Sequence, residues 1–231
     1  TSADRKTLQD ARNAELKNQS EDKLAGTSDT TINGVTFRYT SSIWPTSGYH
    51  LLTVSYYDNY DFPNAPASSE FVDFEQQPVF YGLSEKPRGL PTGSWVRVLE
   101  ASTAANAEKG YVMYDEKGRA VRENSQNHMG GYTLKYTKPD FAGKTVYAVT
   151  MHRRTDSNTA VQVREDFTYD DQNRLLSHTH KINSGAAEQL VLNEYDALGR
   201  LIRKSVGGIP GAPLQKVNFN YSIRGWLKGI N

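Results

Sequence analysis

The sequence predicts a mainly β protein: an array of antiparallel β-hairpins forming a curved, open sheet or partial shell, with one N-terminal helix. Three observations predict it. A Tyr-Asp turn signature recurs at near-regular spacing through the C-terminal half. The segments between these turns alternate apolar and polar residues with period two, as half-buried strands do. The composition combines 37% hydrophobic residues with 14 Tyr and a mean hydropathy of −0.67. That suits sheet layers held by aromatic pairs better than a deep aliphatic core.

The signature is clearest in Tyr195-Asp196-Ala197-Leu198-Gly199-Arg200-Leu201. Asp196 can accept hydrogen bonds from its own turn, and Gly199 can take the positive φ of a bulged hairpin loop. Tyr195 and Leu201 flank the turn, where they can meet across the strands. Tyr169-Asp170, followed by Asn173-Arg174, is a second copy; Asn is the next best residue at positive φ. Tyr114-Asp115 with Gly118-Arg119 is a third. Tyr221-Ser222 with Gly225-Trp226 is a fourth, with Ser for Asp and Trp for Arg. Pro139-Asp140 with Gly143-Lys144 is a degraded fifth, in which Pro replaces Tyr. The units start at 114, 139, 169, 195 and 221, giving spacings of 25, 30, 26 and 26 residues. A period in this range marks a repeat architecture. One hairpin cannot bury its apolar face alone, so neighbours are expected to pair edge to edge.

From the N-terminus, residues 1–29 are expected to form a helical leg. No Gly or Pro interrupts residues 3–25, and Gly26 is placed to stop the helix. Its apolar stripe is thin: Leu8, Ala11, Leu16 and Leu24. Residues 30–110 read as a β-rich region. Val35, Phe37 and Tyr39 alternate with polar residues, as do Leu52, Val54 and Tyr56. Tyr57-Asp58 is an aberrant Tyr-Asp element and is not counted as a repeat. Residues 63–94 hold five prolines and are expected to be an irregular loop with short edge strands at most. A strand is expected from Trp95 to Glu100, then a small-residue turn over 102–106. Residues 111–231 are the hairpin array. Tyr147, Val149 and Met151 mark one apolar strand face; Val161, Val163, Phe167 and Tyr169 mark another; Val217, Phe219 and Tyr221 a third.

The run of Tyr-Asp-x-x-Gly-Arg-Leu units resembles the YD repeats of RHS proteins and teneurins. The closing Asn220-Tyr221-Ser222-Ile223-Arg224-Gly225-Trp226-Leu227 resembles the form found in Bacteroidetes RHS proteins, as do residues 89–94 and 127–131. The resemblance implies a spiral of hairpins that forms the wall of a hollow shell around a C-terminal polypeptide, toxin-associated in this family. It implies an extracellular or cell-surface location. The implied partner is the remainder of the chain's own longer protein, with further YD repeats and a C-terminal cargo. The family's self-cleaving segment is of Asp-Pro-x-Gly type. No Asp-Pro occurs here, so that activity transfers to no residue.

The bulk numbers exclude several classes. A net charge of +1 gives no electrostatic case for nucleic acid or an anionic membrane. No apolar run approaches the ~18 residues of a membrane span. The absence of cysteine excludes a disulfide framework and a thiolate zinc site. Residues 1–26 carry no signal-peptide pattern.

Candidate chemistry is sparse. His178 and His180 share a strand face at i and i+2 and could present two imidazoles to a metal, but no third ligand is identifiable. Asp115, Asp140, Asp170 and Asp196 recur where a turn wants a short acceptor, which favours turn capping over acid-base work. Arg119, Lys144, Arg174 and Arg200 form a ladder of cations, each expected to pair with a repeat Asp or stack on a repeat Tyr. Trp44 and Trp95 are possible ligand contacts. The sequence assigns no catalytic residue, no metal and no cofactor. Its first functional reading is a non-catalytic structural segment. The alternative is a β module that binds a glycan or surface protein through exposed aromatics and the Pro-rich loop.

Overall fold

The computed structural model describes residues 2–14, 20–26, 28–43, 48–99 and 106–231. Among them, one helix, α1 (Ser2–Ala14), precedes fourteen strands. β1 (Thr30–Ile32) and β2 (Val35–Phe37) pair as a small two-stranded sheet. The other twelve form one antiparallel sheet in which spatial order equals chain order. They are β3 (Thr53–Tyr57), β4 (Pro91–Arg97), β5 (Ala107–Tyr114), β6 (Ala120–Gln126), β7 (Gly130–Pro139) and β8 (Thr145–Thr155). Then come β9 (Val161–Tyr169), β10 (Leu175–Ile182), β11 (Glu188–Tyr195), β12 (Leu201–Val206), β13 (Gln215–Tyr221) and β14 (Leu227–Ile230). The sheet is open, with β3 and β14 at its edges. The division drawn at residue 110 falls inside β5. It marks where the turns become regular and is no break in the sheet.

The helix is shorter than expected. Residues 15–19 lie outside the described residues, and residues 20–26 are not helical, with Lys23 bridged to Tyr39. The Leu24 N–H donates to the Arg38 carbonyl at 3.1 Å, and the Thr40 N–H to the Asp22 carbonyl at 2.9 Å. The thin apolar stripe explains this. Leu8 is half exposed, so burial stabilises the helix little. Extended pairing satisfies the backbone instead, and lets the Glu21 carboxylate accept the N–H groups of Ser42 and Ile43.

The Pro-rich segment is a strap that lies on the sheet. It contains one turn of 3-10 helix, Ser68–Glu70, and its last residues, 91–94, already belong to β4. Pro91 opens that strand, a position that tolerates a missing donor. Phe74 stacks on Tyr136 with centroids 3.9 Å apart. The Tyr147 hydroxyl donates to the Phe74 carbonyl at 2.8 Å. The buried Arg122 guanidinium donates to the carbonyls of Glu70 and Val72. Arg164 pairs with Glu75 at 2.6 Å. Between the strap, β2 and one face of β3–β5 sits the core, with Phe37, Tyr56, Phe62, Trp95 and Met113 buried. Each such side chain contributes about 2 kcal/mol. Phe62 packs on bare backbone at Gly93, where a Cβ would come within 2.4 Å of the ring.

The apolar stripe changes face between β8 and β9. Thr150 stands opposite Val163, and Val149 opposite Arg164. Partners across an antiparallel pair point to the same side. Val149 and Arg164 therefore face the strap, as the Arg164–Glu75 pair confirms, while Val163 and Phe167 face away. The alternation read for β8 and β9 is present in each strand, but the two stripes lie on opposite sides of the sheet. Val161 and Ile182, on the strap-free side, are 44% and 48% exposed.

Candidate functional site

The residues repeated in sequence form a ladder along one end of the sheet. Within each turn the aspartate holds the loop closed. Asp196 Oδ1 accepts the N–H groups of Leu198 and Arg200 at 2.9 and 2.8 Å, and Oδ2 accepts Arg200 Nε at 2.7 Å. Asp170 does the same with Gln172 and Arg174, and Asp115 with Lys117 and Arg119. Asp140 pairs with Lys144 at 2.6 Å. The fifth position of the unit is left-handed throughout: Gly118 at φ +72, Gly143 at +91, Asn173 at +64, Gly199 at +83 and Gly225 at +83. Ser222 Oγ accepts only the Trp226 N–H, at 3.0 Å.

Electrostatics follow from this geometry. The Arg200 backbone N–H, helped by its guanidinium, holds Asp196 below the usual carboxylate range. The Lys144 side chain does the same for Asp140. At Asp170 burial pushes upward, but hydrogen bonds from the Arg174 backbone, its side chain and the Gln172 N–H together outweigh it. Carboxylates held in this way are poor proton donors and suit charge pairing.

Contacts also run between turns. Each repeat tyrosine donates its hydroxyl to the carbonyl at the seventh position of the preceding unit. Tyr169 reaches Thr145 at 3.0 Å, Tyr195 reaches Leu175 at 3.0 Å, and Tyr221 reaches Leu201 at 2.9 Å. In the other direction, the cation at the sixth position lies over the next tyrosine ring. Lys144 is 5.2 Å from Tyr169, Arg174 is 4.4 Å from Tyr195, and Arg200 is 5.0 Å from Tyr221. Where Pro139 replaces tyrosine, Arg119 Nη1 donates to the Asp140 carbonyl at 2.6 Å, as Arg200 Nη1 does to the Ser222 carbonyl at 3.3 Å.

The sequence reading missed one unit. Tyr57-Asp58 and Gly89-Leu90-Pro91 are the two halves of a single Tyr-Asp turn. The Asp58 N–H donates to the Leu90 carbonyl at 3.2 Å, as the Asp115 N–H does to Arg119 at 3.0 Å. Asp58 Oδ1 accepts the Gly89 N–H, and Gly89 sits at φ +79. Tyr57 pairs with Pro91 across a bulge, as Tyr114 pairs with Ala120. The Tyr114 hydroxyl donates to the Pro91 carbonyl, completing the lock. Residues 59–88, which include most of the strap, thus stand where Glu116 and Lys117 stand in the third copy. Both halves are visible in the sequence; only their distance hides them.

The other candidates resolve differently. Trp95 is 7% exposed within the core cluster, so its ring is not open to a ligand. Trp44 lies outside the described residues. Trp226 is 69% exposed. His178 stacks on Phe167 with centroids 4.2 Å apart and meets Glu165 at 3.0 Å. His180 meets Glu188 at 3.1 Å. Among the described residues no group of three or more His, Asp or Glu is arranged to hold a metal ion. On the strap-free face β4–β7 frame a shallow groove of about 390 Å³, floored by Gly110 and edged by Ser94, Ser125, Thr133, Glu123 and Lys135.

No protein-family model and no curated protein matches the chain. Among the described residues no helix is long and apolar enough to cross a membrane.

Proposed function

We propose that the chain is a non-catalytic structural segment of an RHS/YD-repeat protein, secreted or on the cell surface. On this reading it contributes β-shell wall that encloses or displays a C-terminal polypeptide. One observation carries the proposal: the polar groups of the repeat are used to fasten neighbouring units. Aspartate closes its own turn, the cation reaches the next ring, and the tyrosine hydroxyl reaches back to the previous carbonyl. A wall needs that kind of registration between units, whereas a catalytic carboxylate needs a face left open to substrate. The partner is the rest of the same longer protein.

The test is protease protection in the full-length gene product. A downstream polypeptide cut far more slowly than the same polypeptide expressed alone supports the wall. Equal cutting rates overturn it. The groove on the strap-free face supports a second reading, a glycan-binding module. Glycan-array binding that vanishes in Ser125→Trp, which fills the groove, would favour that reading.

A further inference from the structure

We propose that Lys23 Nζ and the side-chain amide of Asn59 condense into an intramolecular amide bond, a covalent tie that the fold itself brings about. The inference goes beyond the wall reading and does not rest on it.

Both groups are held in place. Lys23 is bridged to Tyr39, and the backbone bonds of Leu24 to Arg38 and of Thr40 to Asp22 flank it. Its Nζ lies 2.6 Å from Asn59 Oδ1 and 3.1 Å from the Tyr57 carbonyl. With a C=O length of about 1.2 Å, Asn59 Cγ is no more than about 3.8 Å from that nitrogen, near the separation from which bonds form. The Asn59 N–H donates to the Tyr57 carbonyl at 2.9 Å, and Oδ1 accepts the Asp61 N–H at 2.9 Å. That backbone donor polarises the amide carbonyl and is placed to stabilise the oxyanion that forms when Cγ is attacked.

The surroundings prepare the nucleophile. Nζ stands 5.7 and 5.9 Å from the ring centroids of Tyr56 and Phe62, both buried. Burial lowers the Lys23 pKa from its ordinary value, against the opposing charges of Asp61 and Asp58. The share of neutral amine rises accordingly. The same two carboxylates can relay a proton through one water. The neutral amine attacks Cγ and forms the Nζ–Cγ bond. One Nζ proton passes to Nδ2, the Cγ–Nδ2 bond breaks, and ammonia leaves. No oxidant or cofactor enters the balance.

Lys144 and Asn173 show what the reaction needs. Their Nζ and Oδ1 are also 2.6 Å apart. Lys144, however, is ion-paired with Asp140 at 2.6 Å, which favours the ammonium. Among the described residues no backbone N–H reaches Asn173 Oδ1 to polarise it. The tie at Lys23 joins residues 36 apart and fastens residues 20–26 to the Tyr57-Asp58 half-turn. It constrains the unfolded chain as a disulfide would, in a sequence without cysteine.

The experiment is the mass of the intact purified chain, followed by a tryptic digest. The expected mass is lower than that of the sequence by one ammonia. Trypsin should no longer cut after Lys23, and fragment spectra should show a branched peptide joining Lys23 to Asn59. Lys23→Arg keeps the positive charge but cannot form the bond, so it should show the full mass of its sequence, as should Asn59→Ala. A parent chain that keeps its full sequence mass through prolonged incubation at mildly alkaline pH overturns the proposal. So does a loss of ammonia without the branched peptide, which assigns the loss to a succinimide such as one at Asn33-Gly34. A branched peptide joining Lys144 to Asn173 instead overturns it as well. Each of these failures leaves the wall reading standing, since protease protection of a downstream polypeptide is measured separately.

Discussion

The Tyr195 hydroxyl donates to the Leu175 carbonyl at 3.0 Å, across twenty residues of chain. The same hydroxyl lies 3.4 Å from Asn193 Nδ2, which itself donates to the Leu175 carbonyl at 3.0 Å. Two donors thus converge on one acceptor between β10 and β11. Tyr195→Phe removes one donor and leaves the acceptor partly satisfied. The expected cost is about 1 kcal/mol, the net worth of a typical hydrogen bond. Urea titration should show a lower midpoint with an unchanged slope. A midpoint identical to the parent's would mean that the lock contributes nothing.

Gly143 and Gly199 separate strain from crowding. Both sit at positive φ, +91 and +83. A Cβ at Gly143 meets nothing within 4 Å, whereas one at Gly199 meets Arg174 Nη1 at 2.7 Å. That guanidinium is held over the Tyr195 ring. Gly143→Val is therefore expected to cost at least about 1 kcal/mol through backbone strain alone. Gly199→Val is expected to cost more, because it also displaces a ladder cation. Equal melting curves for Gly199→Val and the parent would refute the left-handed turn.

The acid side of the stability profile follows from the turns. Folding lowers the pKa of Asp140, Asp170 and Asp196. A group whose folded pKa is depressed contributes stability that is complete above its unfolded value, about 3.9 for Asp, and is lost as pH falls through the folded value. The melting temperature should thus hold steady at neutral pH and fall below about pH 4. Asp196→Asn keeps an oxygen acceptor but loses the charge that pairs with Arg200. Its deficit against the parent is expected at pH 7 and should shrink on acidification. A deficit that stays constant down to pH 2.5 would assign the aspartate's role to shape alone, with no contribution from charge.

The sequence made the local chemistry legible and hid the long-range geometry. Asp, Gly and Arg at fixed offsets announce a turn because the hydrogen bonds that close it lie within five residues. Strand alternation is equally local. Register is not: nothing in residues 145–169 says that Val149 will stand opposite Arg164 rather than Val163, so the change of apolar face could be read only from the paired strands. The split turn was hidden for a related reason. Asp58 and Gly89 close a turn with the same bulge and left-handed glycine, though Asp58 is itself left-handed at φ +70, and residues 59–88 separate them, whereas the Tyr-Asp pattern assumes two residues between its halves. The prolines that suggested an irregular loop were informative about backbone. They said nothing about Phe74 stacking on Tyr136, which turns that loop into a strap. The helix was overextended because propensity carried the reading into residues 20–26, where tertiary pairing with residues 38–40 prevails.

The tryptophans give the last prediction. Exposed aromatics could supply a sugar platform, and sequence alone cannot separate Trp95 from Trp226 in this respect. In the structure Trp95 is buried in the core cluster, with Arg97 5.7 Å from its centroid. Trp95→Ala leaves a large void there and is expected to cost about 3 kcal/mol or more. Trp226→Ala removes a side chain that is mostly in solvent and is expected to stay within about 0.5 kcal/mol of the parent. Side-by-side denaturation of the two variants checks the assignment. If Trp95→Ala melted like the parent, Trp95 would not be core, and it would return as a candidate contact for a ligand.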